Sequence, residues 1–175
     1  MKKIAIVLGI FLCLGCVGRI VWINQQYPQA KVEKIALQEE YTDKDGVVYM
    51  LQSSSWIDKD EVEEKYAPMD PQPCYLVNLK ITNTSQKKQS INLCEWYLEG
   101  DNYYSQGVSA ELYWVLNPEV NDFEIDLEAK ETVHVVLPYE MVKTIENDHA
   151  WNEILGGEYG IVKDRYPDKI WLCMN

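Results

Sequence analysis

Residues 4–23 (IAIVLGIFLCLGCVGRIVWI) form an apolar run broken by one charge, Arg19. A helix rises about 1.5 Å per residue, so a run of this length reaches across the roughly 30 Å hydrocarbon core of a bilayer. Lys2 and Lys3 precede it. Positive charge on that side stays in the cytoplasm and sends the rest of the chain outside. Arg19 lies near the outer end, where its long stem lets the guanidinium reach the headgroups, and Trp22 suits the interfacial aromatic belt. The expected organisation is an N-terminal membrane anchor or signal segment over residues 1–23, a polar linker over residues 24–31, and an ectodomain over residues 32–175. Two alternatives compete with an uncleaved transmembrane helix. A cleaved signal peptide, leaving a secreted protein, needs small residues before the cut, and Cys16-Val17-Gly18 is a poor approximation. A lipoprotein would carry its lipid on Cys16. Gly15-Cys16 fits that motif, but Cys13 and Leu14 occupy the positions where it has Leu and a small residue.

Charge narrows the partners. The chain of 175 residues has 16 basic and 28 acidic side chains. Three of the basic residues, Lys2, Lys3 and Arg19, and none of the acids fall in the first 24 positions, which leaves 13 against 28, a net of −15, on the remainder. Such a surface repels nucleic-acid phosphates and anionic headgroups, so nucleic-acid binding is excluded. A basic partner or a cation suits the field better. The plainer reading is that the charge keeps the domain soluble.

Beyond the linker the patterning is that of strands. VEKIALQEEY and VVYMLQSSSWI flank TDKDG, a hairpin turn in which Asp and Gly tolerate positive φ. Tyr75, Val77, Leu79 and Ile81 alternate with Leu76, Asn78, Lys80 and Thr82, which places the first set on a core-facing side. INLCEWYLEG reads as the next strand, FEIDLEAKETVHVVLPYEM as two strands joined near Glu128-Ala129-Lys130, and IWLCM as the last. DKDEVEEKY reads as a short helix capped by Asp58, with Glu61 three residues on and Pro68 beyond its end. A second short helix fits within VKTIENDHAWNEIL, and residues 108–116 have no clear assignment. The spacing predicts an all-β fold with one or two short helices, an antiparallel β-sandwich.

The run YLVNLKITNTS, together with EWYLEGDNYYSQG, LNPE, DLEAKETVHVVLPYEM and the YPDK turn, resembles telokin-like, immunoglobulin-like ectodomains of Gram-positive membrane-anchored surface proteins. The resemblance spans roughly residues 32–175. It departs at Glu128-Ala129-Lys130, where that family usually has Pro-Gly. It implies an immunoglobulin-like β-sandwich, export, and binding rather than chemistry, and it brings no catalytic residues.

The residues themselves argue the same way. His134 and His149 stand apart and match no metal-ligand spacing, and there is neither a Gly-x-Ser-x-Gly elbow nor a Gly-rich phosphate loop. Asp43 and Asp45 before Gly46 resemble a fragment of a calcium loop whose later ligands are missing, and read as a turn. Glu124 and Asp126 share a strand face, more simply a solvated one. No catalytic, cofactor or metal site is expected. Cys74, Cys94 and Cys173 lie outside the anchor, and a Cys94–Cys173 disulfide would tie the last strand to a sheet. Twelve Tyr and six Trp accompany only two Phe. Tyr and Trp bury area while keeping a polar tip, so Tyr103, Tyr104, Tyr113 and Trp114 are candidates for a protein-contact face, with Trp96 and Trp171 as core. The expected function is a non-catalytic cell-envelope protein-binding module of adaptor, inhibitor or immunity type. Its partners would be the membrane and another envelope or secreted protein. The alternatives are a structural or ligand-sensing ectodomain and, less favoured, a hydrolase with a spatially assembled site.

Overall fold

A computed structural model of the chain describes residues 2–26, 30–102, 104–120, 122–165 and 167–174, with side chains of the first helix described from residue 13 on. The chain divides into two compact units, residues 1–31 and 32–175. The first contains helix α1 (Lys2–Gln26), which continues through Asn24, Gln25 and Gln26 into the segment read as linker. Its apolar side chains at Leu14, Val17, Ile20, Val21, Trp22 and Ile23 are exposed. Among the described residues, no helix is long and apolar enough to cross a membrane. Lys2, Lys3 and the first half of the apolar run lie outside the described side chains.

The second unit contains β1 (Lys31–Ile35), β2 (Glu40–Thr42), β3 (Val47–Ile57), α2 (Lys59–Tyr66), β4 (Cys74–Asn83), β5 (Gln89–Asn92), a single 3-10 turn (Leu93–Glu95), β6 (Tyr97–Gly100) and β7 (Ser105–Gly107). It continues with α3 (Ala110–Leu116), β8 (Glu124–Leu127), β9 (Thr132–Glu140), α4 (Asp148–Leu155), β10 (Tyr159–Val162) and β11 (Asp168–Cys173). The strands form a five-stranded sheet ordered β1-β11-β10-β6-β7, a four-stranded sheet ordered β2-β3-β4-β9, and the pair β5-β8. The fold is mostly β with three short helices in this unit among the described residues, and sandwich-like.

The core follows from alternation. Val77, Leu79 and Ile81 of β4 are buried on one side, facing Leu98 of β6, Ile161 of β10 and Leu172 of β11 across a single cluster. The register slips between Leu51 and Ser53 of β3. A bulge reverses which side chains point inward, so Ser54 Oγ reaches the core side and donates to the Met174 carbonyl at 2.9 Å. Beyond the bulge, Ile57 joins Val62, Cys74 and Leu112 in a second, smaller cluster beneath α2 and α3. Asp58 caps α2, its carboxylate accepting from Glu61 N at 2.9 Å, but Glu61 pairs with Lys65 rather than completing a capping box.

Two sequence readings are corrected, and one unassigned stretch takes a definite form. INLCEWYLEG is not one strand: β5 pairs with β8, the 3-10 turn changes direction, and β6 enters the five-stranded sheet. Residues 110–116 are helical, with Ser109 as cap. Cys94 and Cys173 are free. Glu99 of β6 pairs with Gly160 of β10, which pairs with Cys173. Two strand spacings of about 4.8 Å separate Cys173 from that strand, beyond disulfide reach, and Cys94 lies further back on the exposed 3-10 turn.

Candidate functional site

An acidic cleft lies at one end of the sandwich. The β2–β3 turn is set by Asp43, whose carboxylate accepts from Asp45 N at 3.0 Å and Val47 N at 2.9 Å. Gly46 takes the positive φ of 81° that closes the turn. This turn lies beside the β10–β11 connection, and together they form an open cleft of about 580 Å³. Its acidic lining is Glu33, Asp43, Asp45, Asp164 and Asp168, against Lys44 and Lys163. The lining therefore carries a net charge of −3.

Two layers can be told apart within it. The inner layer is satisfied. Lys163, 14% exposed, lies 3.6 Å from the Asp43 carboxylate and 2.9 Å from that of Asp164. Its ammonium also stands 5.0 Å from the centre of the Tyr49 ring. The Tyr49 hydroxyl donates to Asp43 at 3.0 Å, and burial followed by the Asp43 charge pushes that hydroxyl's pKa far above its ordinary value. The outer layer is unneutralised: Glu33, Asp45 and Asp168 are exposed, and none of them has an ion-pair partner among the described residues. Tyr41 flanks them, stacked on Tyr49 with ring centres 6.4 Å apart. Its pKa is raised by burial and by the charges of Asp164, Asp43, Glu33 and Asp168. An aromatic ring beside unpaired carboxylates suits an ammonium or guanidinium group. Among the described residues, no group of three or more His, Cys, Asp or Glu side chains is placed to hold a metal ion.

A second groove of about 600 Å³ runs beside β9. It contains His134, whose Nδ1 lies 2.9 Å from Gln52 Oε1, and one acid, Glu119. His149 is exposed on α4, 3.6 Å from Glu153.

Of the aromatic candidates, Tyr113 and Trp114 are in contact, ring centres 5.3 Å apart, whereas Tyr104 packs elsewhere, against Trp151 and Tyr159. Tyr103 lies outside the described residues. Tyr104 and Tyr113 are buried, which removes them from any contact face. The Tyr104 hydroxyl donates to the Val142 carbonyl and that of Tyr113 to the Asp122 carbonyl, each at 3.2 Å. Burial pushes the Tyr113 hydroxyl up to about 12. Of the three that are described, Trp114 is the exposed one, at 43%, against Phe123 and Tyr113. Trp96 is buried in the core, against Tyr49. Trp171 is buried differently. It lies on the outer side of the five-stranded sheet, flat over Gly160, where an added Cβ would stand 1.5 Å from the indole nitrogen, and Lys34 and Lys169 cover it. The cleft is hard to see in the sequence because its residues come from three separate stretches, Glu33, residues 41–45 and residues 163–170. The Asp-Lys-Asp-Gly turn was the one visible trace.

None of the curated proteins matches this chain. Among solved structures it is similar to the yjhA protein from Bacillus subtilis, at 11% identity and a TM-score of 0.50 over 81% of this chain and 99% of that one. It is also similar to a conserved hypothetical protein from Bacillus anthracis, at 13% identity and a TM-score of 0.50 over 78% and 94% of the two chains. An uncharacterized beta-sandwich protein from Clostridium difficile is similar at 10% identity and a TM-score of 0.47 over 84% and 97%. At such identities the likeness extends to the fold alone. The sequence model of the family described as Domain of unknown function (DUF5028) matches residues 26–170. The chain belongs to this family.

Proposed function

We propose that this member of the DUF5028 family is a non-catalytic binding module displayed outside the cytoplasm, whose acidic cleft takes a cationic group of another envelope or secreted protein. The observation that carries this reading is the outer layer of the cleft. Glu33, Asp45 and Asp168 are exposed carboxylates beside the Tyr41 ring, and of the two lysines lining the cleft Lys163 is already committed to Asp43 and Asp164, while Lys44 makes no ion pair with them among the described residues. An excess of like charge draws a cationic partner and is relieved when that partner binds.

The immunoglobulin-like assignment rests on the resemblance of the strand and turn sequences and agrees with two packed sheets. Anchorage by residues 1–23 is supported by the apolar run and by the exposed Leu14, Val17, Ile20, Val21 and Trp22 of α1, a surface better suited to lipid than to water. A single pass, with Lys2 and Lys3 inside, leaves the cleft outside.

A photo-cross-linking amino acid placed at Lys44, on the rim of the cleft, tests the proposal in living source cells. One dominant extracytoplasmic adduct, lost when Glu33, Asp45 and Asp168 are neutralised, is the expected result. Absence of any adduct above background would overturn the binding reading in favour of a structural ectodomain.

A further inference from the structure

Strand β9 is an edge of the four-stranded sheet, and its outward backbone groups are only partly covered. Met141 N donates to the Pro73 carbonyl and Asn83 N to that of Glu131, so odd-numbered positions of this stretch bond toward β4. Even-numbered positions therefore turn their N–H and C=O to the open side. Helix α3 occupies two of them through its caps. Ser109 N donates to the Pro138 carbonyl at 2.8 Å. The Asn117 side chain behaves as a peptide unit of a neighbouring strand: its Nδ2 donates to the Val136 carbonyl at 2.8 Å and its Oδ1 accepts from Val136 N at 2.8 Å. Asn117 is 6% exposed, held there by a further bond to the Tyr113 carbonyl at 2.9 Å.

Cover stops at Val136. Among the described residues no bond reaches the outward N–H and C=O of His134. Beside this stretch the chain does not close up. Past the Asn117–Val136 contact, Pro118, Glu119 and Val120 line a groove of about 600 Å³ together with Thr132–Val135, with Gln52 and Asn78 on the sheet side. A slot bordered by a bare strand edge is filled best by another extended main chain, since only that satisfies the edge's alternating donors and acceptors. Its acid is Glu119, on a surface of net charge −15. We infer that the slot between β9 and residues 116–120 accepts a short extended segment of a basic partner, which pairs with the main chain at Thr132–His134 while Asn117 marks where pairing ends. This surface is separate from the acidic cleft and does not depend on it.

The test uses the full chain in detergent micelles, labelled with nitrogen-15, and a capped hexapeptide alternating lysine and valine. The expected result is slowed exchange of the His134 amide on adding peptide. Methylating alternate peptide nitrogens abolishes the effect in one register and spares it in the other, because only one edge of the peptide pairs. His134→Pro removes one outward N–H, leaves the bonds to β4 in place, and lowers affinity about tenfold. Glu33→Gln, Asp45→Asn and Asp168→Asn leave the exchange effect unchanged, so failure at the slot is distinguished from failure at the cleft. Unaltered His134 exchange at about 1 mM peptide, a level at which an interaction of about 4 kcal/mol is half formed, would overturn the inference. So would equal loss in both methylation registers.

Discussion

The two ends of the sandwich are built on opposite principles. Where β3 finishes and β4 and β10 begin, rings follow one another inward. Trp56 packs on Tyr75 at 4.9 Å, Tyr75 on Tyr159 at 5.4 Å, Tyr159 on Tyr104 at 6.3 Å and Tyr104 on Trp151 at 5.9 Å. The Tyr104 and Tyr159 hydroxyls donate to backbone carbonyls, that of Tyr159 to Ile154 at 2.5 Å. The rings of this series carry no charge of their own, although Asp70, Glu111 and Glu140 lie close by. At the other end one lysine serves two carboxylates and three more acids are left over. The first arrangement is what stability alone would select. The second carries charge that the fold does not use, which is why the cleft rather than the aromatic end is the functional candidate.

The comparison is sharpened first at the aromatic end. Tyr159→Ala removes a ring held by two others and a buried hydrogen bond, and should cost about 3–5 kcal/mol in urea unfolding. A cost near that of a surface change would mean the aromatic series contributes little. Next is Lys163→Met, which deprives the part-buried Asp43 of its counter-charge. It should destabilise by about 2 kcal/mol at neutral pH, with Asp43 still holding its three hydrogen bonds. A neutral result would mean that Lys163 does not neutralise Asp43 and that the inner layer is no better satisfied than the outer. Tyr139→Phe should act in the opposite direction. Its fully buried hydroxyl has no hydrogen-bond partner among the described residues, and removing an unpaired buried polar group should stabilise by about 1 kcal/mol in the same assay.

The smallest effect concerns Glu140, at the aromatic end of β9. Burial, then Glu111 and Asp70, raise its pKa above the ordinary carboxylate value, with a Ser109 hydrogen bond opposing. Stability linked to a raised carboxylate is fully present below the ordinary value and is lost as pH rises through the elevated one. Glu140→Gln should therefore unfold at slightly higher temperature at pH 7 than the parent, and show a flatter stability profile across the weakly acidic range.

How much of this was legible in the sequence depended on range. The β4 alternation, the Asp58 cap and the Gly46 turn are local, and each lies where the pattern placed it. Residues 91–100 were misread because their apolar content is continuous across the 3-10 turn, and the change of sheet is dictated by partners far along the chain. The tyrosines misled for a physical reason. A hydroxyl signals a surface position only where the interior offers no acceptor, and here carbonyls of residues 122, 142 and 154 accept from Tyr113, Tyr104 and Tyr159. The meeting of Lys163 with Asp43 joins residues 120 positions apart, and no local pattern announces it.

The most direct measurement is a calorimetric titration of the full chain with a capped tetralysine peptide at low and physiological salt, beside the combined variant Glu33→Gln, Asp45→Asn and Asp168→Asn. These three side chains are exposed, so unfolding stability should stay within about 0.5 kcal/mol of the parent. The expected result is salt-sensitive binding to the parent that falls at least about tenfold in the variant, one decade for each 1.4 kcal/mol lost. Equal affinity for parent and variant, with both folded, would contradict the assignment of the cleft as the binding site.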